Sequence, residues 1–245
     1  MPQKLFLSGM DPHAPELAKN SQLGLEITEF TYAPNLEDAS RFAAVREQMC
    51  GVPDFWLHAP FAELAPCAVD PLVRRVTLTR YRQTLELAQR LGIHRIVLHG
   101  GFVPQVYDPQ WYVEQSIVFW RDFLREVPQD FLLALENVLE PTPELLTRIV
   151  QGVGDPRLGL CLDVGHANLT GTMAHNWVAQ FSPWLCHLHV HNNDGLDDLH
   201  GGLLDGTIPM RQLLRSVRAL CPNASYTLET HDCAASLDQW KELCE

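Results

Sequence analysis

Residues 158–168, LGLCLDVGHAN, and residues 185–195, LCHLHVHNNDG, follow one plan: a short apolar run ends on a carboxylate or histidine, and glycine or asparagine follows within a few residues. Runs of this length are too short for most helices and suit strands buried on both faces, as in a parallel sheet. The plan recurs in WLHAPF (56–61), VLHGG (97–101), FLLALENV (131–138) and SYTLETHD (225–232). Working outward, the spacing predicts eight strands: Lys4 to Leu7, Gly24 to Glu29, Phe55 to His58, Arg95 to His99, Phe131 to Glu136, Leu158 to Asp163, Leu185 to His191 and Tyr226 to Thr230. Helix-like segments lie between them at Glu37 to Met49, Pro71 to Leu91, Pro109 to Val127, Pro143 to Val150, Trp177 to Phe181 and Met210 to Leu220, several opened by proline. Asp11 to Asn20, with two prolines, is the weakest helical segment. Strands alternating with helices predict an α/β chain, a (β/α)8 TIM barrel forming a single domain over residues 1–245. An open doubly wound sheet shares the rhythm, but no GxGxxG follows the first strand.

The 245 residues, 46% of them hydrophobic, suffice for one well-buried core. Lys and Arg total 18 against 30 Asp and Glu, a formal charge of −12 that argues against nucleic acid and anionic membrane as partners and favours a small substrate. Bound divalent cations would offset part of that acidity. The start MPQKLFLSGM is too short in apolar residues for a secretory signal, and no run approaches a membrane span, so a cytoplasmic location is expected. Seven scattered cysteines without CxxC spacing read as reduced, which argues against a thiolate zinc site and a disulfide framework. A homo-oligomer is compatible with all of this.

The chemistry-bearing residues sit where a barrel keeps its active site. His58, His99, Glu136, Asp163, His191 and Glu229 each fall at or just after the end of a candidate strand, so their side chains converge on one mouth. Imidazoles with carboxylates suit zinc, manganese or cobalt, and the carboxylates also admit magnesium. Glu136 follows a strongly apolar run with no nearby Lys or Arg, and a buried unpaired carboxylate is costly enough to demand a partner. Asp163 and His166, three apart, reach one ion together, or Asp163 caps the next helix and His166 is merely exposed. His187, His189 and His191 share one face of a strand; the last reaches the mouth, while the first two fit interior hydrogen-bonded positions. Asp198 and His200 lie in the Gly-rich stretch GLDDLHGGLLDG, a loop able to close over the site or simply a solvated one. His13, His94, His175 and His231 read as surface residues.

In order, LHAPF, VLHGG, LEN, CLDVGHAN, HVHNNDG, DLHGGLLDG and TLET resemble the xylose isomerase-like TIM barrels, from about Gly24 to Thr230. That superfamily holds sugar and sugar-phosphate isomerases and epimerases as well as the endonuclease IV type of apurinic endonuclease (AP endonuclease family 2). The resemblance implies one divalent ion on Glu136, Asp163, His191 and Glu229. Glu136 and Glu229 would then move protons on a carbohydrate-like substrate through an enediolate, with His166 orienting a hydroxyl. It also implies an alternative. The endonuclease type holds three zinc ions, and its additional ligands are matched by His58, His99, His166, Asp198 and His200, so the expected count is one ion with up to three accommodated. The short chain leaves little room for DNA-contacting loops, and a non-catalytic metal- or sugar-binding barrel is the third reading.

Overall fold

The computed structural model describes residues 4–244. Eight parallel strands, β1 (Leu5–Ser8), β2 (Gly24–Ile27), β3 (Phe55–His58), β4 (Arg95–His99), β5 (Leu132–Glu136), β6 (Leu158–Asp163), β7 (Leu185–Val190) and β8 (Ser225–Leu228), close into a barrel in sequence order. β1 pairs with both β2 and β8, so no strand edge is left open. The TIM barrel read from the sequence is the observed architecture.

Nine α-helices stand among the described residues: α1 (Ala14–Ser21), α2 (Ala39–Gln48), α3 (Pro71–Leu91), α4 (Pro109–Leu124), α5 (Glu144–Val153), α6 (Val164–Leu169), α7 (Ala174–Phe181), α8 (Met210–Leu220) and α9 (Cys233–Cys244). Their starts have local causes. Asp38, Asp70 and Asp108 accept hydrogen bonds from the first free amides of α2, α3 and α4, and Pro71 and Pro109 fill positions that need no donor. α1 forms in the doubtful Asp11 to Asn20 region because Pro15 sits in its first turn, where it costs no hydrogen bond. Glu29 leaves its expected strand for a 3-10 turn (Glu29–Thr31).

The alternation along each strand decides what faces inward. Phe6, Trp56, Val97, Ala134 and Cys161 fill the lower barrel, with the His187 ring stacked 4.2 Å above Trp56. Gly24 completes this layer, since a Cβ there would lie 2.1 Å from the Phe6 ring. Two residues further along each strand come Glu26, His58, His99, Glu136, Asp163 and His189, so the period of two lifts a polar layer above an apolar plug. The larger core lies between strands and helices.

Candidate metal centre

Every residue nominated from the sequence reaches one cavity or its floor at the C-terminal mouth. The cavity is about 400 Å³ and is lined in part by His58, His99, Glu136, His166, Asp198, His200 and Glu229, with Met10, Thr28, Thr31, Phe61 and Val138 completing its wall. Asp163 and His191 are fully buried beneath these.

The donors fall into adjoining groups. Glu136 Oε2 lies 3.3 Å from His58 Nε2 and 3.1 Å from His99 Nε2. Glu136, Asp163, His189 and Glu229 bring one ligand atom each within 4.8 Å of one another. His166 Nε2 and His200 Nε2 lie 3.2 and 3.1 Å from Asp198 Oδ2. His191 Nε2 sits 3.1 Å from both Asp163 oxygens, and its ring stacks on His200 at 4.1 Å. His191, His200 and Glu229 form a further group of the same kind, so Glu136 and Glu229 each belong to more than one.

The outer ring nitrogens fix the tautomers. His58 Nδ1 donates to the Ala59 carbonyl (2.8 Å), His166 Nδ1 to the Asn137 carbonyl (3.0 Å) and His200 Nδ1 to the Glu229 carbonyl (3.0 Å). A carbonyl only accepts, so each Nδ1 carries the hydrogen and each Nε2 turns a lone pair toward a carboxylate oxygen that is also an acceptor. Two acceptors this close need a proton or a cation between them. His99 Nε2, Glu136 Oε2, His189 Nδ1 and Glu229 Oε2 are buried without a hydrogen-bond partner among the described residues, although His99 and Glu136 are neighbours. Such orphaned atoms aimed at common points fit divalent cations of the imidazole-and-carboxylate preference.

The electrostatics without an ion show the same tension. Burial pushes the Glu136 carboxyl up, but His189 and His99 overcome it and hold the group well below the usual range. For Asp163, burial is likewise outweighed by His166 and His191, and the carboxyl falls. Burial lowers His200, but its hydrogen bond to Asp198 and the charge of Glu229 raise it to about 9. His166 is raised well above its ordinary value against burial by Asp163 and Asp198. His166 and His200 thus take up protons where a cation would otherwise sit.

Asp163 reconciles two expectations, because its Oδ1 caps α6 through the His166 amide (2.7 Å) while both its oxygens face His191. Of the strand histidines it is His189, expected in the interior, that stands among Glu136, Asp163 and Glu229, with Nδ1 3.0 Å from Glu229 Oε2 and 3.3 Å from Glu136 Oε1. Sequence reasoning misses Glu26. It is fully buried and holds His189 Nε2 at 3.0 Å and His187 Nε2 at 3.1 Å, and it accepts from Thr227 Oγ1 at 2.5 Å. Its signal in the sequence is a lone carboxylate between Leu25 and Ile27. Asn192 is missed as well; its amide donates to the Leu203 and Ile208 carbonyls and accepts from the Asn193 and Ile208 amides, tying down the loop that carries Asp198 and His200. His13, His94, His175 and His231 are exposed.

Fold and site together define a barrel with a histidine- and carboxylate-lined mouth able to hold divalent cations. The xylose isomerase-like TIM barrel family matches residues 17–245, and the chain belongs to it. An uncharacterised protein of Methanocaldococcus jannaschii is 28% identical over 207 residues, covering 77% of this chain and 69% of its own. A probable endonuclease 4 of Mycobacterium ulcerans is 26% identical over 177 residues, 67% of this chain and 68% of its own. Among solved structures, a D-tagatose 3-epimerase-like protein superposes with a TM-score of 0.83 at 21% identity, covering 98% of this chain and 97% of its own. A protein from Thermus thermophilus, soaked with zinc chloride, superposes at 0.78 with 26% identity and the same coverage. No helix among the described residues is long and apolar enough to cross a membrane.

Proposed function

We propose that the mouth is a multinuclear divalent-metal centre that hydrolyses a phosphoester of a small substrate. The observation that carries this reading is the arrangement of eight of the nine nominated donors, together with His189, in adjoining groups, with His99 Nε2 3.1 Å from Glu136 Oε2 and the Nε2 lone pairs of His58, His166 and His200 set in advance by backbone carbonyls. His58, His99 and Glu136 would hold one ion; Glu136, Asp163 and Glu229, with His189 or His191, a second; His166, Asp198 and His200 a third. Bound there, such ions supply an acidified water and neutralise charge on a phosphoryl group. Zinc, manganese and cobalt suit a donor set this rich in imidazole better than magnesium does.

Charge explains why the cavity manages without Lys or Arg among its described lining residues. Glu136, Asp163, Asp198 and Glu229 contribute four negative charges, so three dications leave the centre net positive and attractive to a phosphodiester, whereas one leaves it net negative. The chain's −12 opposes an extended nucleic-acid footprint and favours a small molecule. The probable endonuclease 4 among the relatives and the zinc-soaked neighbour are consistent with this class.

One observation favours a second reading. Glu136 and Glu229 approach the same His189 Nδ1, which suits two carboxylates exchanging protons on a sugar-like hydroxy-carbonyl compound above a single ion, the work of an isomerase or epimerase. Metal analysis of purified protein together with turnover assays separates the two. More than one ion per chain, with chelator-sensitive hydrolysis of bis(p-nitrophenyl) phosphate, supports the hydrolase. A single ion with turnover on a ketose panel overturns it in favour of the isomerase. Preference for an abasic duplex over the small diester would overturn the small-substrate assignment.

A further inference from the structure

A second cavity of about 290 Å³ opens beside the mouth and shares Phe61, His99 and Val138 with it. Its own walls are Leu64, Phe102, Val103, Tyr107 and Leu139, from the loops after β3, β4 and β5, and Glu63 is the sole carboxylate among its described lining residues. Among the described residues, no Lys or Arg lines either cavity. The wall between them is an aromatic sheet, with Phe61 lying flat on the His99 ring at 4.5 Å and 17° between planes. Glycine at 101 keeps the loops together, since a Cβ there would lie 2.7 Å from the Leu64 carbonyl oxygen.

Several of these apolar side chains are open to solvent: Phe61 at 42%, Val103 at 41% and Leu139 at 51%. Exposed apolar side chains gathered at the rim of a polar site mark a surface meant to be covered. An apolar cavity of about 150 Å³ suffices for benzene, so this one admits a substituted ring. We propose that the side cavity is the substrate's second subsite and takes a flat, uncharged, largely apolar ring attached to the group handled at the metal centre. This rests on the metal-centre reading for the position of the reacting head group. A ligand carrying a second phosphate in place of the ring would meet Glu63 and no cation, so charge complementarity selects against it.

Calorimetry on zinc-loaded protein tests this with two hydroxamates that share a metal-binding head, acetohydroxamate with a methyl and benzohydroxamate with a ring. Benzohydroxamate should bind at least about tenfold tighter. Val103→Asp and Leu139→Asp, both at solvent-open positions away from the donors, should each erase most of that advantage and leave acetohydroxamate unchanged. Equal affinity of the two ligands for the native chain, or an advantage that survives both substitutions, overturns the subsite. If neither hydroxamate binds, the metal-centre reading fails on its own. The cavity is then judged by soaking crystals with phenol: density against Phe61 and Leu139 sustains the ring subsite, and a cavity without phenol refutes it.

Discussion

Gly165→Ala isolates the geometry of the centre from its chemistry, because it adds one methyl and removes no donor atom. Gly165 is the second residue of α6, and a Cβ built on it falls 1.9 Å from His191 Cε1, 2.5 Å from Nε2 and 2.6 Å from Nδ1. Ordinary contact begins near 3.4 Å, so the ring must retreat by about 1.5 Å. His191 is fully buried and Asp163 Oδ1 is tied to the His166 amide, so the displacement falls on the 3.1 Å approach of His191 to Asp163. Helix propensity favours alanine over glycine by about 1 kcal/mol, while overpacking costs about 1–3 kcal/mol, so the variant should fold with a modest net loss. A misplacement of about 1 Å at a reacting centre costs about a hundredfold in rate. Metal content by plasma emission, unfolding by denaturant and initial rates give the three readouts: a folded chain, depleted in metal, at about 1% of native rate. Adding Gly165→Ala to His191→Ala should cost almost no further stability, since the clash partner is gone. Native metal content and a rate within threefold in the single variant would refute the claim that Gly165 exists to admit His191.

Three other outcomes follow from the same contacts. Glu136→Gln and Glu229→Gln should each lower turnover by at least about a hundredfold on the true substrate; near-native kcat with metal bound would remove both from the mechanism. In metal-free protein His200 is raised to about 9 and His166 is raised as well. Protons occupy these rings below their folded pKa and must leave when a cation binds. Zinc affinity measured by competition with a chelator should therefore climb from pH 6.5 toward about 9, by about tenfold per pH unit for each proton displaced, and a flat profile would contradict the assignment of these rings as ligands. Glu26→Gln breaks a fully buried carboxylate away from His187 and His189, and chemical denaturation of metal-free protein should show a loss of about 3–5 kcal/mol.

What the sequence made legible follows the period of two. Strands β3, β4 and β6 begin and end at the expected residues, and helices α3 and α8 match theirs, because apolar runs, an N-terminal proline and a terminal carboxylate or histidine are all local signals. Strand ends announce mouth residues for the same reason: alternation places His58 above Trp56 and Glu136 above Ala134, and an inward polar residue above an apolar plug has nowhere to go but the mouth. Depth along the barrel axis is different, since it depends on the stagger between strands and no single strand encodes it. On β7 the pattern HLHVH gives three histidines on one face, yet which stands level with Glu136 and Asp163 is decided by the register between β6 and β7, and that register slips between Leu160 and Cys161. With the slip, Asp163 pairs with His189, where an unbroken register from the Leu160–Leu185 pair would have given Leu188, and His191 follows two residues further on, stacked on His200. Glu26 was hidden because the expected strand ran on to Glu29, which put Glu26 in its interior instead of near its end, and it declares itself only when His187 and His189 arrive from across the barrel. Asp198 and His200 were nominated from loop composition and the family resemblance, but their place over the site comes from Asn192, whose four hydrogen bonds fold the loop back on the barrel. An asparagine next to a histidine-rich strand end is therefore as informative about the centre as the histidines it follows, because it determines whether the loop can bring its donors home.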